Sequence, residues 1–195
     1  MLVMKFGGTS VECAESISRV AEIVRHRQHM QPVVVISALA RITDQLQSLG
    51  ALSKAGELDQ ALCLLDAIEK RHAEVAHSLL DGRSAEVLAT LKPMFAEVAA
   101  LLGAVAAINE LSPRTSDRLL SFGERWSSVL VSEALRARHL PAVFVDACQV
   151  IVTDDDHTHA APLFDLIASR VDSQMKSLVK KACIPVMGGF IGATQ

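Results

Sequence analysis

Four short runs constrain the fold of this chain more than any other feature: LVMKF at 2–6, PVVVIS at 32–37, PAVFVDA at 141–147 and IPVMGG at 184–189. Each has the length of a strand and is rich in valine or isoleucine. The apolar residues follow one another instead of alternating with polar ones. A strand of this kind is covered on both faces, the condition of a parallel sheet lying between helices.

The intervals supply those helices. Ile17, Val20, Ala21 and Val24 follow the i, i+3, i+4, i+7 spacing, and Arg25 and Arg27 close that segment where the helix dipole favours cations. Leu58, Ala61, Leu62, Leu65 and Ile68 mark a second helix after the breaker Gly56. A third covers 84–108, with a kink expected at Pro93, a fourth runs from Pro113 through Arg138, and a fifth from Ala161 to Lys181. The order strand, helix, strand, helices, strand, helix, strand predicts an α/β fold with a parallel sheet and right-handed crossovers. The span 42–138 holds only helices, so a large helical section separates the second strand from the third.

Bulk properties narrow the class. A chain of 195 residues, half of them apolar and 21% charged, can bury one well-formed core. With a net charge of −3, no basic block, no tyrosine and a single tryptophan, nucleic acid is not an expected partner. Cys13, Cys63, Cys148 and Cys183 are far apart and form no CxxC pair, which predicts reduced, packed thiols. The N-terminus does not read as a signal peptide, and no window approaches 18 uninterrupted apolar residues. No membrane partner and a cytoplasmic location are expected. The sequence ends in GGFIGATQ, a strand and a glycine-rich turn that would normally feed a covering helix, so a cut at Gln195 is expected.

In doubly wound sheets ligands bind beyond the carboxyl ends of the strands. The first strand ends in KFGGTS, 5–10: Gly7 and Gly8 let the backbone approach a ligand, a following helix brings its positive end, and Lys5 adds a charge. That combination suits phosphate, or charge on a phosphoryl group in transfer, although it is not a Walker A loop. A plain strand-to-helix turn with Lys5 in solvent explains it about as well. The second strand closes on Ser37, and Thr43 or Asp44 stands where a helix cap is wanted. The third ends in Asp146 and the fourth in Gly188 and Gly189. Gly123, inside a helical pattern, costs roughly 1 kcal/mol against alanine and so has a packing or ligand reason. Glu124 beside it reads either as an ammonium ligand in a cleft or as a solvated carboxylate paired with an arginine. TDDDHTHA, 153–160, crowds acids around His157 and His159, but neighbouring loop residues rarely converge on one ion, and a polar loop at the site rim is expected. No dedicated metal site is expected. His26, His29, His72, His77 and His139 read as surface residues on helices.

Five motifs in order, KFGGTS at 5–10, VVVISALARITD at 33–44, LLSFGERWSS at 119–128, TDDDHTHAAP at 153–162 and PVMGGFIGAT at 185–194, resemble the N-terminal part of the aspartate kinases, which have the amino acid kinase fold. The resemblance implies that residues 1–195 form the amino-acid-substrate lobe of such a domain, truncated, with the three-layer parallel-sheet fold. It also implies ATP-dependent phosphorylation of the side-chain carboxylate of L-aspartate to 4-phospho-L-aspartate, the entry to lysine, threonine and methionine, with magnesium carried on ATP. Carried over by position, Lys5 would stabilise the phosphoryl group in transfer, and Gly7 and Gly8 would cradle phosphate. Thr9 and Ser37 would lie by the nucleotide phosphates or the substrate. Thr43 and Glu124 would contact aspartate, Glu124 through the α-ammonium, and Gly188 and Gly189 would line the cleft.

Two departures stand out. Arg41 occupies a position that is often glycine in single-function enzymes, and TDDDHTHA replaces a commoner phenylalanine-glycine loop; the basic residue resembles some bifunctional forms. After GGFIG the family continues with a segment that supplies an arginine for the substrate carboxylate, then with most of the ATP site and regulatory domains. The expectation is therefore a lobe inactive alone, self-associating through an unfinished sheet, from a homo-oligomeric parent. A glutamate or N-acetylglutamate kinase, or a non-catalytic amino-acid-binding module, is the alternative.

Overall fold

The computed structural model describes residues 1–80 and 82–194. Gln195, where the sequence suggests a cut, lies outside the described residues. Four strands, β1 (Leu2–Phe6), β2 (Pro32–Ile36), β3 (Ala142–Phe144) and β4 (Ile184–Gly188), pair in parallel in the order β1-β2-β4-β3. The register runs from Leu2 opposite Pro32 to Phe6 opposite Ile36, then Val34 opposite Val186 and Ile36 opposite Gly188, with Ala142 opposite Ile184. The continuous apolar runs fall where a parallel sheet needs them. The central strand β4 is buried at every residue and β2 at all but Val35.

Alternation across the pleat assigns the two faces. Val34, Ile36, Ile184 and Val186 point into the larger core with α1 (Ala14–His26) and α5 (Pro113–Ala137). Val33 and Met187 point into a smaller one with Met175 and Val179. Those last two come from a short helical run: α6 (Phe164–Arg170), one π turn at Val171–Met175, and α7 (Lys176–Lys180). This second layer does not reach β1, whose Val3 is 61% exposed. The sheet thus keeps an uncovered strip on its edge strand β1, whereas β4, the last strand in the sequence, lies in the middle of the sheet.

The helical section is α2 (Ile42–Lys54), α3 (Leu58–Leu80), α4 (Ser84–Ile108) and α5. α4 continues through Pro93, and by length and composition alone it is apolar enough to cross a membrane. Here one stripe, Val87, Leu91, Phe95, Val98, Leu102 and Val105, is buried against the helical layer. α5 starts cleanly because Ser112 Oγ accepts from Thr115 N at 3.2 Å while Pro113 fills the first helical position.

Five local expectations need correction. β3 is three residues long, because Asp146 leaves the ladder to accept from Cys148 N at 3.1 Å and open a 3₁₀ turn. The last helix starts at Phe164, not Ala161, since Ala161 is tied back: its N–H donates to Asp154 Oδ1 and its carbonyl accepts from Asp154 N. Thr43 and Asp44 do not cap α2; they lie inside it, and the N-cap is Arg41, in the left-handed region at φ 69°. His139 follows α5 rather than lying on it. His72 is fully buried, its ring edge-on to Trp126 and Phe95 with centroids 5.3 and 5.6 Å away.

Candidate functional site

Three strands end side by side. Ser37 N donates to Phe6 O at 3.1 Å as β1 and β2 finish, and Gly189 N donates to Ile36 O at 2.9 Å as β4 finishes. Lys5, Gly7, Gly8, Thr9, Ser37, Gly188 and Gly189 therefore gather on one rim. Lys5 is exposed and enters no ion pair among the described residues.

The turn after β1 differs from expectation in one respect. Gly8–Val11 wind a 3₁₀ turn, closed by Ser10 N on Gly7 O at 2.9 Å, and α1 begins only at Ala14. The helix N-terminus thus stands a turn away from the glycines. Gly8 has a steric reason: a Cβ there would lie 3.2 Å from Ala38 O, so the first two rim loops touch through it. Gly7 has open space and an extended backbone, φ −79° and ψ 173°, and any residue fits its local geometry. The amides of Gly8 and Thr9 have no acceptor among the described residues and remain available as donors.

Glu124 enters from the middle of α5. Its Oε1 accepts from Ala38 N at 3.1 Å, and it joins none of the ion pairs among the described residues. Burial pushes its pKa up from the usual carboxylate value; the Ala38 N–H opposes that only in part. The arginine partner that composition allowed is absent from it: Arg125 turns instead to Asp146, 3.2 Å away, and lies 4.8 Å above the Phe122 ring.

Glycines allow this approach. A Cβ on Gly123 would sit 2.9 Å from the Ala38 Cβ, and one on Gly188 would sit 2.8 Å from the Glu124 Cβ. The helix can press onto the β2 loop and the end of β4 only because both positions are bare. Ser127 Oγ, shared between Ser37 O at 2.8 Å and Glu124 O at 3.0 Å, ties the same contact together. Thr43, half-buried in the first turn of α2, follows Ile42, which packs against Gly123. The result is a half-buried carboxylate beside a rim that carries exposed Lys5 and Arg41, neither in an ion pair among the described residues, and unengaged backbone amides.

The loop 153–162 docks on α5 two turns before Glu124. Thr158 N donates to Asp117 Oδ2 at 2.8 Å, and His157 Nδ1 lies 3.3 Å from the same oxygen. Among the described residues no three His, Cys, Asp or Glu side chains converge as for a metal ion. Sequence reasoning missed the Arg125–Asp146 pair, and it missed Phe190, which stands fully exposed with φ 59° directly after the two glycines. A positive φ on an aromatic residue carries no sequence signal. A groove of about 240 Å³ between α3 and α4, lined by residues such as Glu69, Lys92 and Phe95, contains none of the rim residues.

Comparison with known proteins agrees with this geometry. The profile of the amino acid kinase family matches residues 1–195. The chain is 32% identical to the chloroplastic aspartokinase 2 of Arabidopsis thaliana over 97% of its own length and 35% of that protein. It is also 32% identical to the aspartokinase of Chlamydia trachomatis serovar D, over 100% of the chain and 41% of the relative. The crystal structure of E. coli aspartokinase III with lysine and aspartate, in the T-state, superposes with a TM-score of 0.89 at 29% identity, covering 100% of this chain and 42% of that one. The chain thus spans between about a third and two fifths of the length of these relatives. The chain belongs to the amino acid kinase family.

Proposed function

We propose that this chain is the acceptor side of an aspartate kinase, phosphorylating the side-chain carboxylate of L-aspartate at the expense of ATP. Glu124 carries the reading. A carboxylate held half-buried on a single backbone amide has lost water without gaining a cation, and an α-ammonium group supplies the missing charge and the hydrogen bond. The likeness to aspartokinases over the whole chain supports the same acceptor.

The residues present fit a nucleotide phosphate at the rim. Gly8 forms a close-packed cradle that a side chain would disturb, the Gly8 and Thr9 amides have no acceptor among the described residues, and Lys5 is an exposed ammonium near the end of β1. ATP would supply the phosphoryl group, with magnesium on its phosphates. Lys5 and the amides would bind the charge that grows on the phosphoryl oxygens, which is where phosphoryl transfer gains most from a protein. Thr43 and Ser37 would orient the amino acid and Glu124 would hold its α-ammonium, leaving the side-chain carboxylate turned toward the phosphate. Gly188 and Gly189 would line the opposite wall. Transfer in this scheme requires a second lobe for the rest of the nucleotide, so the 195 residues alone bind the acceptor and turn over little or none of it.

Isothermal titration of the chain with L-aspartate, L-glutamate and N-acetyl-L-aspartate tests the assignment. L-Aspartate binds best, and the acetylated analogue, without an ammonium group, fails to bind. Binding ionises Glu124, so affinity increases with pH through the range of its raised pKa and then levels off, with a proton released to buffer below that range. Glu124→Gln weakens L-aspartate about 10- to 100-fold, the worth of a charge-assisted contact, and removes the pH dependence. Equal binding of aspartate and its acetylated form would contradict the role given to Glu124.

A further inference from the structure

Arg71, on α3 in the helical section, reaches two rim loops at once. Its Nη1 donates to Ala40 O at 2.8 Å, and its Nη2 donates to Glu12 O at 3.2 Å. Glu12 ends the turn that begins with Lys5-Phe6-Gly7-Gly8, and Ala40 belongs to the loop that runs from Ser37 to Arg41. The same loops also meet where Ser37 N donates to Phe6 O at 3.1 Å and where Gly8 lies against Ala38 O and Ala40. We infer that Arg71 is a positioning residue that sets the spacing between the phosphate-side and acceptor-side loops.

Three observations carry this. The two carbonyls are presented to one planar guanidinium, whose fork spans both, whereas a lysine ammonium is a single point donor. The Ala40 carbonyl precedes Arg41, whose left-handed backbone needs its surroundings to hold it. The next residue, His72, fixes where α3 stands: its Nδ1–H donates to Ile68 O at 2.8 Å and its ring abuts Trp126, two residues beyond Glu124 on α5. The helical section thereby ties both loops to the helix that carries Glu124. Alignment of donor and acceptor supplies much of the rate in phosphoryl transfer. The catalytic consequence rests on the proposed function; the tie between the loops does not.

The test compares amide hydrogen exchange and L-aspartate titration in the unsubstituted chain, Arg71→Met and Arg71→Lys. In Arg71→Met, exchange accelerates about tenfold or more at residues 10–13 and 38–42 while α3 and α4 stay protected, as expected for local loosening. Millimolar guanidinium ion slows both segments again, and L-aspartate affinity falls and recovers in parallel. Arg71→Lys restores protection in one loop only, and it decides the matter if Arg71→Met does not fold. Unchanged exchange in either loop of Arg71→Met, or acceleration spread evenly over α3, α4 and α5, would overturn the inference. So would full aspartate affinity in Arg71→Met when the unsubstituted chain binds. If the unsubstituted chain binds no aspartate, the functional reading fails and the exchange pattern alone decides on Arg71.

Discussion

Burial acts on Glu124 and on His72 with one physical cause and opposite sign. Burial raises the pKa of Glu124 at the rim and depresses that of His72 in the helical layer, to about 4. For His72 the folded value lies below the unfolded one, near 6.5, so the unfolded chain binds more protons between them. Its contribution is complete above about pH 6.5 and is lost as pH falls toward 4. At pH 5 the loss is about 2 kcal/mol relative to neutral pH. Urea denaturation at pH 7.5 and pH 5 therefore shows a drop of that size, and His72→Phe reduces it; an equal drop in the variant would assign the acid sensitivity elsewhere. Sequence alone put His72 on the surface because Arg71, Glu69 and Glu74 surround it along the chain. The ring instead packs on Trp126 and Phe95, which approach it from other helices.

At the scale of elements, the runs of valine and isoleucine announced the four strands and their parallel pairing, and the apolar periodicity announced the helices. The ends of elements were less legible, because they are set by tertiary partners. Asp146 shortens β3, Asp154 delays α6, and Arg41 rather than a hydroxyl residue opens α2. The site was readable wherever chemistry and backbone need coincide, as at Gly8 and Gly123. It was unreadable where a distant helix supplies the contact, as with Arg71 and Arg125. Gly123 is the clearest case of an element placed by one missing side chain. Gly123→Ala puts a methyl 2.9 Å from the Ala38 Cβ and forces α5 off the β2 loop, at a cost of about 1–3 kcal/mol despite alanine's better helix propensity. The Ala38 N–H to Glu124 bond lengthens with it, so denaturation midpoint and L-aspartate affinity fall together. A stabilised variant with intact affinity would show that Gly123 is not what sets the approach.

The whole molecule is one sheet with unequal cover. A large helical layer on one face positions the rim, a short broken helix covers the centre of the other, and the strip over Val3 stays open beside the edge strand β1. Lys5, the Gly8 and Thr9 amides, which have no acceptor among the described residues, and the half-buried Glu124 all lie where the strands end, as the proposed acceptor side of a phosphoryl-transfer site requires. Trapping the acyl phosphate tests this most directly. Hydroxylamine is added to ATP, magnesium and L-aspartate, with this chain and with a chain extended by the region its longer relatives carry beyond the match. The account predicts aspartyl hydroxamate from the extended form, lost on Lys5→Met, and little or none from the 195 residues alone. No hydroxamate from either, with both folded, would contradict it.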